Sequence, residues 1–291
     1  MTVEEDAGLV VGANDSPGSL AALRYAAQEA VRRGCGITLV HVTPSYVPVA
    51  PMRPFVPDGR EGAGRTVLGD ATSLLAAQAP DVPVRSVLRS GATVSTLLSV
   101  AEAADAIILG RETVPPVMSI VTEATTLGIA ARATCPVVSV PDGWDPTTGP
   151  GRVVVGVGST EHSAELLERA FEEAAGRGAG LVVLHASTHP GSDDDVIESL
   201  LRDFRSLHPR VDVEVRIVRE EPARALIDAT PDADLLVVVR RGHGFPSAAR
   251  LGRPVRALLR AAACPIEVVA PRDLPLAVED LELERAGHVE N

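Results

Sequence analysis

Apolar and polar positions along the 291-residue chain switch between two spacings, and the switching runs through the chain twice. Residues 9–13 form an unbroken apolar run, the pattern of a strand buried on both faces of a parallel sheet. Ser16 and Pro17 then read as a helix N-cap and first helical residue. Leu20, Leu23, Ala27, Ala30 and Val31 recur at helical spacing, and Gly34 is a stop. Further strands are predicted at 37–42, 84–88, 106–110 and 137–140, with helices at about 65–79, 93–103 and 120–132. Five prolines, Pro44, Pro48, Pro51, Pro54 and Pro57, exclude a helix or central strand, so residues 43–64 are predicted as a long surface excursion. Loops of that length are often functional.

The second half repeats the order: strands at 153–157, 181–186, 211–218, 235–239 and 266–270, and helices at 162–177, 196–207, 223–229 and up to 262. Cys135-Pro136 and Cys264-Pro265 lie 129 apart (264 minus 135), as do the apolar runs that start at Asp105 and Asp234. Gly12 and Gly156 lie 144 apart (156 minus 12), as do His41 and His185. The chain is therefore a tandem repeat whose first copy carries 15 more residues (144 minus 129), and the excess falls in the proline-rich stretch. The predicted organisation is a domain over 1–143, a linker over 144–151, a domain over 152–271 and an acidic tail over 272–291. Trp144, the only tryptophan, is expected to pin the linker to a domain. Alternating strands and helices with apolar strands define the α/β class, two tandem doubly wound parallel sheets flanked by helices. A ligand crevice is expected beyond the ends of the first and fourth strands of each sheet, with Asn14 near Gly110 and Gly158 near Val239.

The clearest chemistry follows the apolar run at 235–239. Arg240 and Arg241 make a basic turn, Gly242 and Gly244 loosen it, and Gly252 and Arg253 open a helix. A glycine-containing turn before a helix start offers free N–H groups and a favourable dipole to an anion. A net charge of −12 argues against nucleic acid as a partner, and 2% aromatics leave few rings for stacking. No apolar run approaches the roughly 20 residues of a membrane span. The acidic N-terminus does not resemble a signal peptide, and a cytoplasmic location is expected. Cys35, Cys135 and Cys264 read as reduced, buried small residues.

No nucleophile elbow, no zinc-protease motif and no acid/base pair stands out, so no catalytic residue is expected and Ser16 and Ser19 read as cap and helix residues. Gly156 and Gly158 start a dinucleotide-like loop that Glu161 spoils. His185, His189 and the acidic residues 193–195 fit no metal-ligand spacing, and no metal is expected. His41 and His185, at equivalent strand ends, suggest a shared packing role.

From residue 7 to 271 the chain resembles a tandem universal stress protein. The segments that carry the likeness are VVGANDSPGSLAAL, ITLVHV, ADAIILG and CPVVSV, then VVVGVGSTEHSAELL, LVVLHA, ADLLVVV, RRGHGF, LGRPVRALL and CPIEVV. The resemblance implies a strand order of 3-2-1-4-5 in each half and a role in stress or dormancy responses. It also implies a homodimer through last-strand edges, a pairing that a tandem chain could instead satisfy internally as a pseudo-dimeric monomer. Many members bind ATP with an Asp after the first strand and a Gly-x2-Gly-x9-Gly-Ser/Thr motif after the fourth; others bind none. In the first half Asn14 stands for that Asp, Gly110 keeps the first glycine, and Thr113, Glu123 and Ala124 replace the rest. A carboxylate at Glu123 would repel phosphates by on the order of 1 to 4 kcal/mol. In the second half Gly158, followed by Ser159, replaces the Asp and Val239 the first glycine. Gly242 and Gly252 keep the other two, and Arg253 replaces the hydroxyl residue, before Pro254. The resemblance thus implies a non-enzymatic stress protein with degenerate nucleotide sites. The alternative is a regulator holding ATP, AMP or cyclic AMP in the C-terminal half through Gly158, Ser159, Arg240, Arg241, Gly242, Gly244, Gly252 and Arg253.

Overall fold

The computed structural model describes residues 8–43, 60–112, 120–145, 147, 149–158, 163–188, 193–240 and 251–271. In the first half, strands β1 (Leu9–Gly12), β2 (Ile37–Thr43), β3 (Val84–Ser90), β4 (Ala106–Arg111) and β5 (Val137–Pro141) alternate with helices α1 (Pro17–Arg33), α2 (Arg60–Gln78), α3 (Thr93–Val100) and α4 (Ile120–Arg132). The second half has β6 (Arg152–Val157), β7 (Gly180–Ala186), β8 (Val213–Val218), β9 (Leu235–Val239) and β10 (Ile266–Val269). Its helices are α5 (Ser163–Arg177), α6 (Asp193–Leu207), α7 (Pro222–Ala229) and α8 (Arg253–Ala261). Within each half the strands are parallel, in the order β3-β2-β1-β4-β5 and, equivalently, β8-β7-β6-β9-β10.

The halves join at their last strands. β5 and β10 pair antiparallel, with Ile266 opposite Ser139, Glu267 opposite Val138 and Val268 opposite Val137, making one ten-stranded sheet. Of the two arrangements the resemblance left open, the last-strand edges adopt the internal one.

Four sequence expectations are corrected. Helix α2 starts at Arg60, so the excursion is shorter than expected; its residues 44–59 lie outside the described residues. Gly64 reads as a loop residue but sits in that helix, where a Cβ would come within 2.7 Å of Leu88 and 2.9 Å of His41, so its smallness lets α2 approach the sheet. Leu20 and Val31 are 45% and 62% exposed, because α1 buries a face displaced from the expected one, centred on Ala22, Ala26 and Ala30. Helix α6 starts at Asp193 rather than Val196, so residues 193–195 belong to the helix and not to a loop before it. Gly34 and Gly178 end α1 and α5 in left-handed conformation (φ 66° and 63°), which glycine adopts without strain.

The two faces of the sheet differ at the seam. Under α3, α4, α7 and α8 a single apolar core runs across it, from Ile107 and Leu109 through Val137 and Ile266 to Leu236 and Val238. Under α1 and α2 and under α5 and α6 there are two separate cores. Between those two lies an ion cluster. Arg33 bridges to Glu173 at 3.1 Å and Arg177 to Glu29 at 2.7 Å across the seam, and Arg32 reaches Glu173 at 2.8 Å. Arg169 meets Glu173 at 2.7 Å and Glu267 at 2.6 Å. Tyr25 accepts a hydrogen bond from Arg177 and packs edge-on against Trp144 at 5.3 Å, which ties the segment after β5 to the first domain.

Two carboxyl groups of this cluster are shifted in opposite directions. Burial works to raise that of Glu173, but Arg169, Arg177, Arg33 and Arg32 outweigh it and hold the group below its ordinary range. Glu267 has no exposed surface, and burial outweighs Arg169 to hold its carboxyl above that range. For a carboxyl raised in the fold, the stabilisation is complete below the ordinary carboxyl range and is lost as pH rises through the folded value. Glu267→Gln cannot ionise, so its stability relative to the native protein is expected to improve as pH rises from about 4 to about 8. Urea denaturation across that range checks it; a constant difference would contradict it.

Candidate functional site

The crevice at the switch point of the first half is built as the chain order requires. Leaving β1, the backbone N–H of Asn14 donates to Ser19 Oγ at 3.0 Å. Asn14 Oδ1 accepts from the Ser16 N–H at 3.0 Å in an Asx turn, and Ser16 Oγ caps the Ser19 N–H. His41, at the end of β2, donates from Nδ1 to the Ala13 carbonyl at 2.8 Å, since a carbonyl can only accept. A cavity of about 170 Å³ opens here, lined by Gly12, Asn14, His41, Thr93, Leu97, Leu109, Gly110 and Thr126 among others. Asn14 and Gly110 thus meet in one cavity wall. A more open groove of about 660 Å³ lies between α2 and β3 at the sheet edge, away from the switch point and from every motif residue.

The chemistry of the crevice is weakly suited to a polyphosphate. No Lys, Arg, Asp or Glu lines it among the described residues, and its volume is about half the lower end of the ~300 to 1,000 Å³ usual for small-molecule sites. The side-chain oxygen of Asn14 is engaged in its own turn. A Cβ on Gly110 would fall 2.1 Å from the Gly18 carbonyl carbon and 2.5 Å from the Ser19 nitrogen, so its glycine is explained by the close approach of α1 to β4. Thr113 and the side chain of Glu123 lie outside the described residues; Ala124 is exposed.

In the second half, Gly158 is exposed and a Cβ there would meet nothing within 4 Å, so space does not account for the glycine. Helix α8 starts at Gly252 with no side-chain cap, and Arg253 is exposed in its first turn. Ser159, Arg241, Gly242 and Gly244 lie outside the described residues. His185 repeats the geometry of His41, with Nδ1 3.0 Å from the Val157 carbonyl. The two histidines therefore share a packing role.

Arg240 requires a correction. Expected beside an anion, it is 2% exposed and points into the seam, where Nη1 and Nη2 donate to the carbonyls of Ala131 and Ala133 at 2.6 and 2.8 Å. Those carbonyls belong to the C-terminal end of α4, where helix carbonyls lack intrahelical partners. Its counterpart, Arg111, donates in the same way to Arg260 and Ala262 at the end of α8. All three pairs of positions stand 129 apart (240 minus 111, 260 minus 131, 262 minus 133). Each half thus closes the last helix of the other. The equivalence of Arg111 to Arg240 is legible in the sequence from their repeat offset.

Cys135 and Cys264, also counterparts, are buried, and burial pushes their thiols up to about 11 and about 12, far from a reactive thiolate. Among the described residues there is no cluster of metal-ligating side chains, and no helix is long and apolar enough to cross a membrane.

Comparison with known proteins accords with this architecture. The universal stress protein family model matches residues 9–141 and again 150–270. A universal stress protein of Mycobacterium tuberculosis is 30% identical over 259 residues, covering 81% of this chain and 87% of that protein. One from Mycolicibacterium smegmatis is 27% identical over 287 residues, covering 91% and 97%. Among solved structures, a universal stress protein from Archaeoglobus fulgidus shares the fold with a TM-score of 0.74 at 16% identity, over 92% of this chain and 99% of that one.

Proposed function

We propose that this chain, which belongs to the universal stress protein family, acts in stress responses as a non-catalytic, single-chain pseudo-dimer whose nucleotide crevices have lost their ligand. One observation carries the reading: the first-half crevice is small and lined by no charged side chain among the described residues, and its Asn14 and Gly110 are engaged in a turn and in helix packing. In the second half the reading is supported by Arg240, whose guanidinium closes α4 and faces the other domain. Without a nucleotide, the protein acts through contacts made by its surface, and the internal pairing of β5 with β10 makes it a one-copy unit.

A second reading keeps an adenine nucleotide in the C-terminal half. It is favoured by the uncapped start of α8 at Gly252 with Arg253 exposed beside it, a geometry open to a phosphate. Thermal unfolding with ATP, AMP or cyclic AMP separates the two. A ligand at a hundredfold excess over Kd stabilises by about 2.7 kcal/mol, several degrees in midpoint. The first reading predicts no shift with any of the three. A shift that disappears in Arg253→Ala would establish the second, and a shift that survives that substitution would move the site elsewhere.

A further inference from the structure

The seam is symmetric on one face of the sheet and asymmetric on the other. Arg111 and Arg240 on the α4 and α8 face are counterparts making equivalent bonds, so those bonds do not distinguish one kind of domain from the other. On the α1 and α5 face only part of the cluster is symmetric: the Arg33–Glu173 and Arg177–Glu29 bridges map onto each other at the 144-residue offset (177 minus 33, 173 minus 29). Three counterpart pairs do not match: Tyr25 with Arg169, Arg32 with Gly176, and Val138 with Glu267. The last pair is directly opposed in the β5–β10 register.

We infer that these three mismatched pairs are an identity code: the seam accepts the N-terminal domain only against the C-terminal one and rejects a like partner. Two N-terminal domains would bring Arg32 against Arg32. In the chain, Arg32 occupies the space left by Gly176, with Nη1 2.3 Å from where a Cβ of residue 176 would lie. The tip of Arg32 could yield to an alanine, but a second arginine would compete for all of that space. Such a pair would also gather four guanidiniums, from two copies each of Arg32 and Arg33, around only two carboxylates, both Glu29. Two C-terminal domains would set Glu267 directly opposite Glu267, two fully buried carboxyl groups where the native seam has Glu267 opposite Val138. Two carboxyl groups facing each other out of water, where the native seam sets one against a valine, are destabilising unless each finds a hydrogen-bond partner. They would also leave a hole between two copies of Gly176. Only the unlike pairing places Arg32 on Glu173 and into the space over Gly176. The partner that fits this surface is therefore the opposite half, in the same chain or donated by a second copy, and not an equivalent half.

Exchanging the code in the full-length chain tests this. Arg169→Tyr with Gly176→Arg and Glu267→Val makes both sides N-like. Tyr25→Arg with Arg32→Gly and Val138→Glu makes both sides C-like. Either triple is expected to lower the thermal midpoint and to raise the small-angle scattering radius of gyration as the halves part. The chain with all six changes carries the code reversed and is expected to recover both values toward the native ones. Triples that keep the native midpoint and radius would overturn the inference, as would a sixfold variant no more stable than the triples. The two-residue exchange of Arg32→Gly with Gly176→Arg puts the same question to the steric pair alone. Recovery relative to Gly176→Arg supports the code, and purely additive losses contradict it.

Discussion

Gly110→Ala is expected to destabilise the protein by about 3 kcal/mol or more, at the upper end for an overpacked site. The new methyl group would lie 2.1 to 2.5 Å from backbone atoms of Gly18 and Ser19, and backbone cannot rotate aside as a side chain can. Relief requires the N-terminal turn of α1 to move away from β4, taking with it the Asn14 and Ser16 turn that shapes the crevice. Gly69→Ala is the control. It lies in the interior of α2 with nothing within 4 Å of the added carbon, and should gain about 0.5 to 1 kcal/mol from helix propensity. Denaturant unfolding of the two variants beside the native chain checks both signs. A neutral Gly110→Ala would show that this glycine is not held by packing, and would return it to the ligand.

Arg240→Ala is expected to cost about 3 to 5 kcal/mol, from two charge-assisted hydrogen bonds of about 1.5 to 3 kcal/mol each. The substitution orphans the Ala131 and Ala133 carbonyls at the end of α4 and leaves a void in the core that spans both halves. Arg111→Ala should cost a similar amount, because its bonds are the counterparts on α8. Were Arg240 an exposed phosphate ligand, its loss would leave stability nearly unchanged and phosphate would stabilise the native protein but not the variant. Unfolding midpoints with and without added phosphate distinguish the two roles.

How far the sequence could be read follows from what each residue answers to. The strand runs at Leu9–Gly12 and Leu235–Val239 are apolar because both sheet faces are covered, and such a requirement is written locally. The repeat offsets are written locally as well, and with them the equivalence of His41 to His185. The buried face of α1 depends on what packs against it: Leu20 and Val31 satisfy helical spacing yet are exposed. The same limit holds for Arg240. A basic residue after a buried strand and before a glycine-rich turn has the same local pattern whether its guanidinium meets a phosphate or turns back to a helix end more than a hundred positions away in the chain. The repeat could have raised the second reading, since Arg111 holds the equivalent place with no glycine turn after it. Gly64 likewise looks like part of a proline-rich loop until Leu88 and His41 are seen against it.

The Glu267 and Val138 pair shows the same limit at the seam. A single glutamate in an otherwise apolar last strand reads locally as an edge residue facing water, yet it is fully buried because the edge it would have faced is filled by β5. Once the two last strands are paired, that glutamate, Arg169 and Gly176 acquire a common reason.

Native mass spectrometry of the purified full-length chain, followed by denaturation, tests the central claim most directly. A single-chain pseudo-dimer with empty crevices predicts the mass of one copy and the release of no adenine nucleotide on unfolding. A stoichiometric nucleotide adduct, or a species of two copies as the main form, would contradict it.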